Sequence, residues 1–198
     1  MAITDKRWVV AFDQALGNTG VAITDGEVIY TTVLVTKSKL GLDKRLHEID
    51  RFVTRVIETF FPEEIVLEVV YPGRFRNAAM KLAQVYSTIT NACFRYEVPY
   101  TVLDSAVKTK ESWPARLGIK GTKEHCKGWL LATHPDLETI NKLAEHEYDA
   151  IGILWAKMVE DKAISIESIA NLPIIKLVPN DLFNHSGTNC DSRVRASV

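Results

Sequence analysis

The stretch that decides the fold is Trp8-Val9-Val10-Ala11-Phe12-Asp13, an apolar run that ends on a carboxylate. Residues 7–12 do not alternate polar with apolar, which predicts a strand covered on both faces. An acid at the end of such a strand is costly to bury unless something pairs with it. Beyond it, Gly17, Asn18 and Gly20 predict a tight turn. Val21-Ala22-Ile23-Thr24 predicts a second strand, Asp25-Gly26 is a hairpin signal, and the β-branched run from Val28 to Val35 predicts a third strand. The chain therefore opens with three short antiparallel strands, and Asp13 faces the first connection.

Further along, Leu42, Leu46, Ile49, Val53, Ile57 and Phe60 recur at helical spacing after Gly41, and Pro62 stops the stripe. Ile65 to Val70 is the next strand and carries Glu68. A helix that returns to a strand favours a parallel neighbour. Asn77 is a suitable N-cap for a second helix through about Arg95. Val98 to Leu103 predicts a fifth strand, and residues 104–121 are irregular and rich in lysine. Thr122 can cap a helix to about Thr133, and residues 143–159 predict a last helix holding His146 and Asp149. The pattern fades after about Ile175. The reading divides the chain into a domain over 1–160 and a C-terminal extension, partly disordered, over 161–198.

Composition narrows the classes. The chain has 198 residues, is 46% hydrophobic and carries a formal charge of -1, so any nucleic-acid surface must come from local clustering. No apolar run is long enough for a membrane span, and the N-terminus lacks the order of a signal peptide. Cys93, Cys126 and Cys190 are scattered and odd in number, which fits free thiols in a reducing cytoplasm. His125, Cys126 and His134 lack a fourth ligand for zinc.

Asp13, Glu68 and Asp149 are three carboxylates far apart in sequence, each near the end or beginning of a predicted element. Any one of them alone reads as a cap, a turn acid or an ion-pair partner. Together, in this order, they suggest a shared cation, and a cation held by carboxylates suggests phosphate chemistry. His146 lies three residues before Asp149, so both fall on one helix face. Glu145, four residues before Asp149, is the rival fourth ligand.

The order of elements and motifs resembles the RuvC-type Holliday junction resolvases of the RNase H-like nuclease superfamily. The resemblance is carried by Phe12-Asp13-Gln14 with Gly17, Gly20 and Val21; by Leu67-Glu68-Val69-Val70-Tyr71; by the helix from Ala79 to Ala92; by Val107-Lys108 and Lys120-Gly121-Thr122-Lys123; and by His146-Glu147-Tyr148-Asp149-Ala150. It covers roughly residues 7–160. The family usually places Pro-Gly after its first acid, and Gln14-Ala15 departs from that.

The resemblance implies an α/β, RNase H-like fold with a central mixed five-stranded sheet, three antiparallel strands followed by parallel ones, flanked by helices. It implies a metal-dependent crossover junction endonuclease with two Mg²⁺ or Mn²⁺ ions per active site. Asp13 would bridge the ions, Glu68 and Asp149 would complete one site each, and His146 would ligate an ion or orient the attacking water. Tyr71 would stack on bases at the junction centre. Arg74, Arg76 and Lys81, with a second group of Lys108, Lys110, Arg116, Lys120, Lys123 and Lys127, would track phosphates. Lys108, Lys120 and Lys123 are the candidates that the motif itself places.

The partner implied is a four-way DNA junction, whose near two-fold symmetry matches a homodimer with two active sites. The second helix is the candidate dimer element, through Val85, Ile89 and Phe94. The expected location is the cytoplasm of a bacterial or phage-infected cell, with no membrane contact. Two other functions stay open. An RNase H-like nuclease can act on forks, flaps or RNA–DNA hybrids, and a branched-DNA-binding protein can grip without cutting. Actin-like ATPases share a related opening strand and turn but need a second similar domain, for which this chain is too short.

Overall fold

A six-stranded sheet in the order β5-β4-β1-β2-β3-β6 forms the centre of the molecule. The structure, a computed structural model, describes residues 7–69, 76–104, 112–119, 123–135, 137, 143–169 and 171–178; for residues 123–126 and Glu167 it describes the backbone alone. The strands are β1 (Val9–Asp13), β2 (Asn18–Thr24), β3 (Ile29–Val35), β4 (Glu64–Glu68), β5 (Tyr100–Leu103) and β6 (Ile174–Lys176). β1 pairs antiparallel with β2, and β2 with β3. β1–β4, β4–β5 and β3–β6 are parallel. The turn between β2 and β3 is an Asx turn: Asp25 Oδ1 accepts from the N–H groups of Glu27 and Val28, both at 3.0 Å. Gly26 holds φ +92° there, a conformation that favours glycine.

The helices are α1 (Leu42–Phe60), α2 (Arg76–Arg95), α3 (Trp113–Arg116), α4 (Lys123–Thr133), α5 (Glu145–Glu160) and α6 (Ile166–Ile169). The pleat decides which helix meets which side chain. Val10, Phe12, Val21, Ile23, Ile65 and Leu67 point to one face and pack with Ile49, Phe52, Val53 and Val56 of α1 and Val85 and Ile89 of α2. Val9, Ala11, Ala22 and Val66 point to the other face and pack with Ala150, Ile151, Ile153 and Leu154 of α5. Period two then sends Asp13, Gly20, Glu64 and Glu68 to the α5 face as well. α5 is buried along most of its length, so its apolar residues run nearly all round it.

Three expectations change. The sheet has six strands, not five. β6 pairs Ile174, Ile175 and Lys176 with Ile29, Tyr30 and Thr31, and Ile169 and Leu172 just before it are buried in the core. A strand of three residues carries no periodicity by which a sequence could announce it. Gly20 lies inside β2, opposite Asp13, rather than in a turn. Val85 and Ile89 are fully buried in the chain's own core against α1, so they are not available to a partner; Phe94 is 68% exposed.

Candidate active site

Asp13 ends β1 and Glu68 ends β4. The parallel pairing runs Val9 with Glu64 through Phe12 with Leu67, and one further step sets the two acids side by side at the same end of the sheet. Asp13 is only 4% exposed. α5 approaches this end with its N-terminus, and His146 Nδ1 lies 2.5 Å from Asp13 Oδ2. That hydrogen bond raises the imidazole pKa above its ordinary value; burial opposes it, and the charges of Asp13, Asp149 and Glu145 add to it. Asp149, one turn further along α5, is 5% exposed. Glu145, the rival of His146, is exposed.

The close packing of α5 depends on one glycine in the sheet and one in the helix itself. A Cβ on Gly20 would overlap the carbonyl group of His146. A Cβ on Gly152 would overlap the indole of Trp113. At its other end α5 is tied to the start of β4: Lys157 Nζ lies 3.1 Å from Glu64 Oε2 and 2.7 Å from Asp161 Oδ1. Between these points Glu147, fully buried, accepts from the Ala144 N–H at 2.8 Å and pairs with Lys176 of β6 at 3.0 Å. The helix that carries His146 and Asp149 is thus fastened to both halves of the sheet.

Sequence reasoning missed two neighbours of Glu68. The Gln14 side chain donates to the Glu68 carbonyl and accepts from the Glu68 N–H at 3.1 Å. Trp113 Nε1 donates to Glu68 Oε1 at 3.1 Å. The one signal was the departure at Gln14; nothing local marked Trp113. Lys37 and Lys39 are exposed just after β3, at the end of the sheet where Asp13 lies.

The remaining candidates divide. Arg76 and Lys81 are exposed on α2. Arg116 forms an ion pair with Glu160, so its charge is not held free for phosphate. Lys127 Nζ lies over the Tyr148 ring at 5.0 Å, a cation–π contact. Tyr71, Arg74, Lys108, Lys110 and Lys120 lie outside the described residues, as does the side chain of Lys123. His134 Nε2 lies 2.7 Å from the Leu172 carbonyl and its ring stacks on Trp155. No described helix is long and apolar enough to cross a membrane.

The donor set of Asp13, Glu68, Asp149 and His146 is hard oxygen with one imidazole, the chemistry that suits Mg²⁺ or Mn²⁺. As the side chains stand, no three His, Cys, Asp or Glu among the described residues are gathered round one point tightly enough to hold an ion. Asp13 Oδ2 is engaged by His146, and Glu68 Oε1 by Trp113. The types of donor are those that suit a divalent cation.

A mixed sheet of this order, antiparallel and then parallel with flanking helices, is the RNase H-like fold. The family model described as crossover junction endodeoxyribonuclease RuvC matches residues 10–111. The chain belongs to that family, the endonucleases that resolve Holliday junctions. Nucleases of this kind generally depend on a divalent metal. Among solved structures, Thermus thermophilus RuvC in complex with a Holliday junction substrate is similar, with TM-score 0.63 and 17% identity over 79% of this chain and 95% of that one. Thermus thermophilus RuvC solved alone gives TM-score 0.62 and 17% identity over 78% of this chain and 95% of that one. At this identity the likeness establishes the fold.

Proposed function

We propose that this chain resolves four-way DNA junctions by paired, symmetric nicks, and that Asp13, Glu68, Asp149 and His146 hold the divalent ions that the reaction needs. The observation that carries the reading is the 2.5 Å contact between His146 Nδ1 and Asp13 Oδ2, which brings the α5 motif onto the end of β1. Two Mg²⁺ or Mn²⁺ ions, when bound, supply an activated water and neutralise the phosphoryl charge. Asp13, Glu68 and Asp149 would supply the carboxylates that hold the ions. His146, which engages Asp13 Oδ2, would hold an ion or orient the attacking water. The buried setting of Asp13 and Asp149 strengthens every charge interaction made there.

Two nicks placed symmetrically require two copies of the site, and a two-fold homodimer supplies them. On α2, Met80 is 57% exposed and Phe94 68%, which leaves apolar surface for a second copy. Arg74, Arg76, Lys108, Lys120 and Lys123 would track the phosphates and Tyr71 would stack at the junction centre.

The test compares a labelled four-way junction with a linear duplex, a fork and an RNA–DNA hybrid, in Mg²⁺ and in Mn²⁺, beside Asp13→Asn. Paired nicks in the junction, lost in the variant by at least about a hundredfold while junction binding persists, are expected. Cutting of the hybrid or the fork alone would overturn the junction reading. Binding without cutting in either metal would make the chain a junction-binding protein.

A further inference from the structure

Glu68 is the last residue of β4; toward β5 it still pairs with Leu103, but toward β1 the strand ladder stops one rung short of it, at Leu67. Gln14 supplies that rung. A side-chain amide carries the same donor and acceptor as a peptide group, and Gln14 presents both to the Glu68 main chain: its N–H donates to the carbonyl, and its oxygen accepts from the Glu68 N–H at 3.1 Å. Gln14 is 4% exposed, so water does not readily take its place. Leucine or methionine has neither group, asparagine is one carbon shorter, and glutamate lacks the donor.

The carboxylate end is held separately. Trp113 is 1% exposed, and its indole N–H, a donor that cannot accept, meets Glu68 Oε1 at 3.1 Å. The ring is placed by α3, whose cap Ser112 is fully buried and bridges to Asp104 just past β5. Its far face lies on Gly152, where any side chain would overlap it. Gly152 is three residues beyond Asp149, on the same face of α5. One rigid indole therefore spans from β4 to the helix of Asp149, and it touches Glu68 on the way.

We propose that Gln14 and Trp113 are the positioning residues of Glu68, Gln14 fixing its main chain and Trp113 its carboxylate relative to α5. The inference rests on the reading of Glu68 as a metal carboxylate. A ligand already held in place loses less freedom when it binds an ion, and partners of this kind typically change metal affinity by about 10- to 100-fold. The proposal gives the departure from Pro-Gly at Gln14-Ala15 a purpose.

The test uses the full chain with Trp113→Phe, which keeps a buried ring and removes the donor, and Gln14→Met, which keeps length and removes both bonds. Mn²⁺ binding without DNA is followed by calorimetry, nicking is followed against rising Mg²⁺, and junction affinity is taken in EDTA. Both variants are expected to bind Mn²⁺ at least about tenfold more weakly, to bind the junction within about twofold of the parent, and to recover nicking as Mg²⁺ is raised. A purely structural role would lower activity without rescue by metal, and that outcome overturns the proposal. Should either variant fail to fold, the parent chain still decides: the indole N–H resonance of Trp113 is expected to move in a Mg²⁺ titration, and a resonance that stays still overturns the role of Trp113. A parent chain that neither binds Mn²⁺ nor cuts overturns the functional reading, and this one with it. A parent that does both, beside variants indistinguishable from it, overturns the positioning role alone.

Discussion

Gly20 of β2 lies directly against the main-chain carbonyl of His146, with no room for a methyl group between strand and helix. Gly20 also pairs with Asp13 across the sheet. One hydrogen atom thus sets how near the imidazole comes to the acid. Gly20→Ala is expected to push α5 off the sheet, to cost about 1–3 kcal/mol as an overpacked core does, and to remove most nicking. Urea unfolding beside a junction assay checks it; a stable and fully active Gly20→Ala would show that α5 yields at no cost.

Glu147 has no exposure to solvent and its partner Lys176 comes from β6. Removing one member of a buried pair leaves the other charge uncompensated. Lys176→Met is expected to destabilise the fold by about 3 kcal/mol, and Glu147→Gln added to it to restore part of that loss. A double-mutant cycle in denaturant measures both. Additive effects would mean that the two side chains do not act as a pair.

Cys93 is buried on α2, and burial pushes its thiol from an ordinary value of 9.0 up to about 11. The folded chain therefore keeps the proton after the unfolded chain has lost it. The contribution to stability is full below about pH 9 and falls as pH rises through about pH 11. Cys93→Ala is expected to flatten the alkaline part of the stability curve. The native thiol is also expected to resist alkylation at neutral pH until the chain is unfolded.

Lys37 and Lys39 stand exposed at the end of the sheet that carries Asp13. If junction phosphates pass there, replacing both with alanine reduces the slope of log affinity against log salt by about 1 per lysine. The nicking rate at saturating junction is expected to stay the same. An unchanged slope would place the DNA elsewhere on this face.

The opening strands, α1, β4, α2, β5 and α5 were legible because each element carries its own pattern: apolar runs, an amphipathic stripe, a hairpin signal. The positions of Asp13 and Glu68 at strand ends were legible because each closes an apolar run of its own. What was hidden depends on contacts between distant residues. Gln14 could be noticed as a departure, but its grip on Glu68 exists only once β1 and β4 are in register. Trp113 meets a residue 45 positions earlier. Val85 and Ile89 read as surface because α2 has apolar residues on more than one side, and only the packing of α1 shows which side is inward.

β6 covers the outer edge of β3 with three residues. A chain shortened to residue 160 loses that cover and bares the main-chain donors and acceptors of Ile29 and Thr31, which face β6. An uncovered edge of this kind is a template on which another polypeptide can add itself as a strand. The shortened chain is therefore prone to aggregate, and the small edge strand acts as a guard against sticking as much as a part of the core.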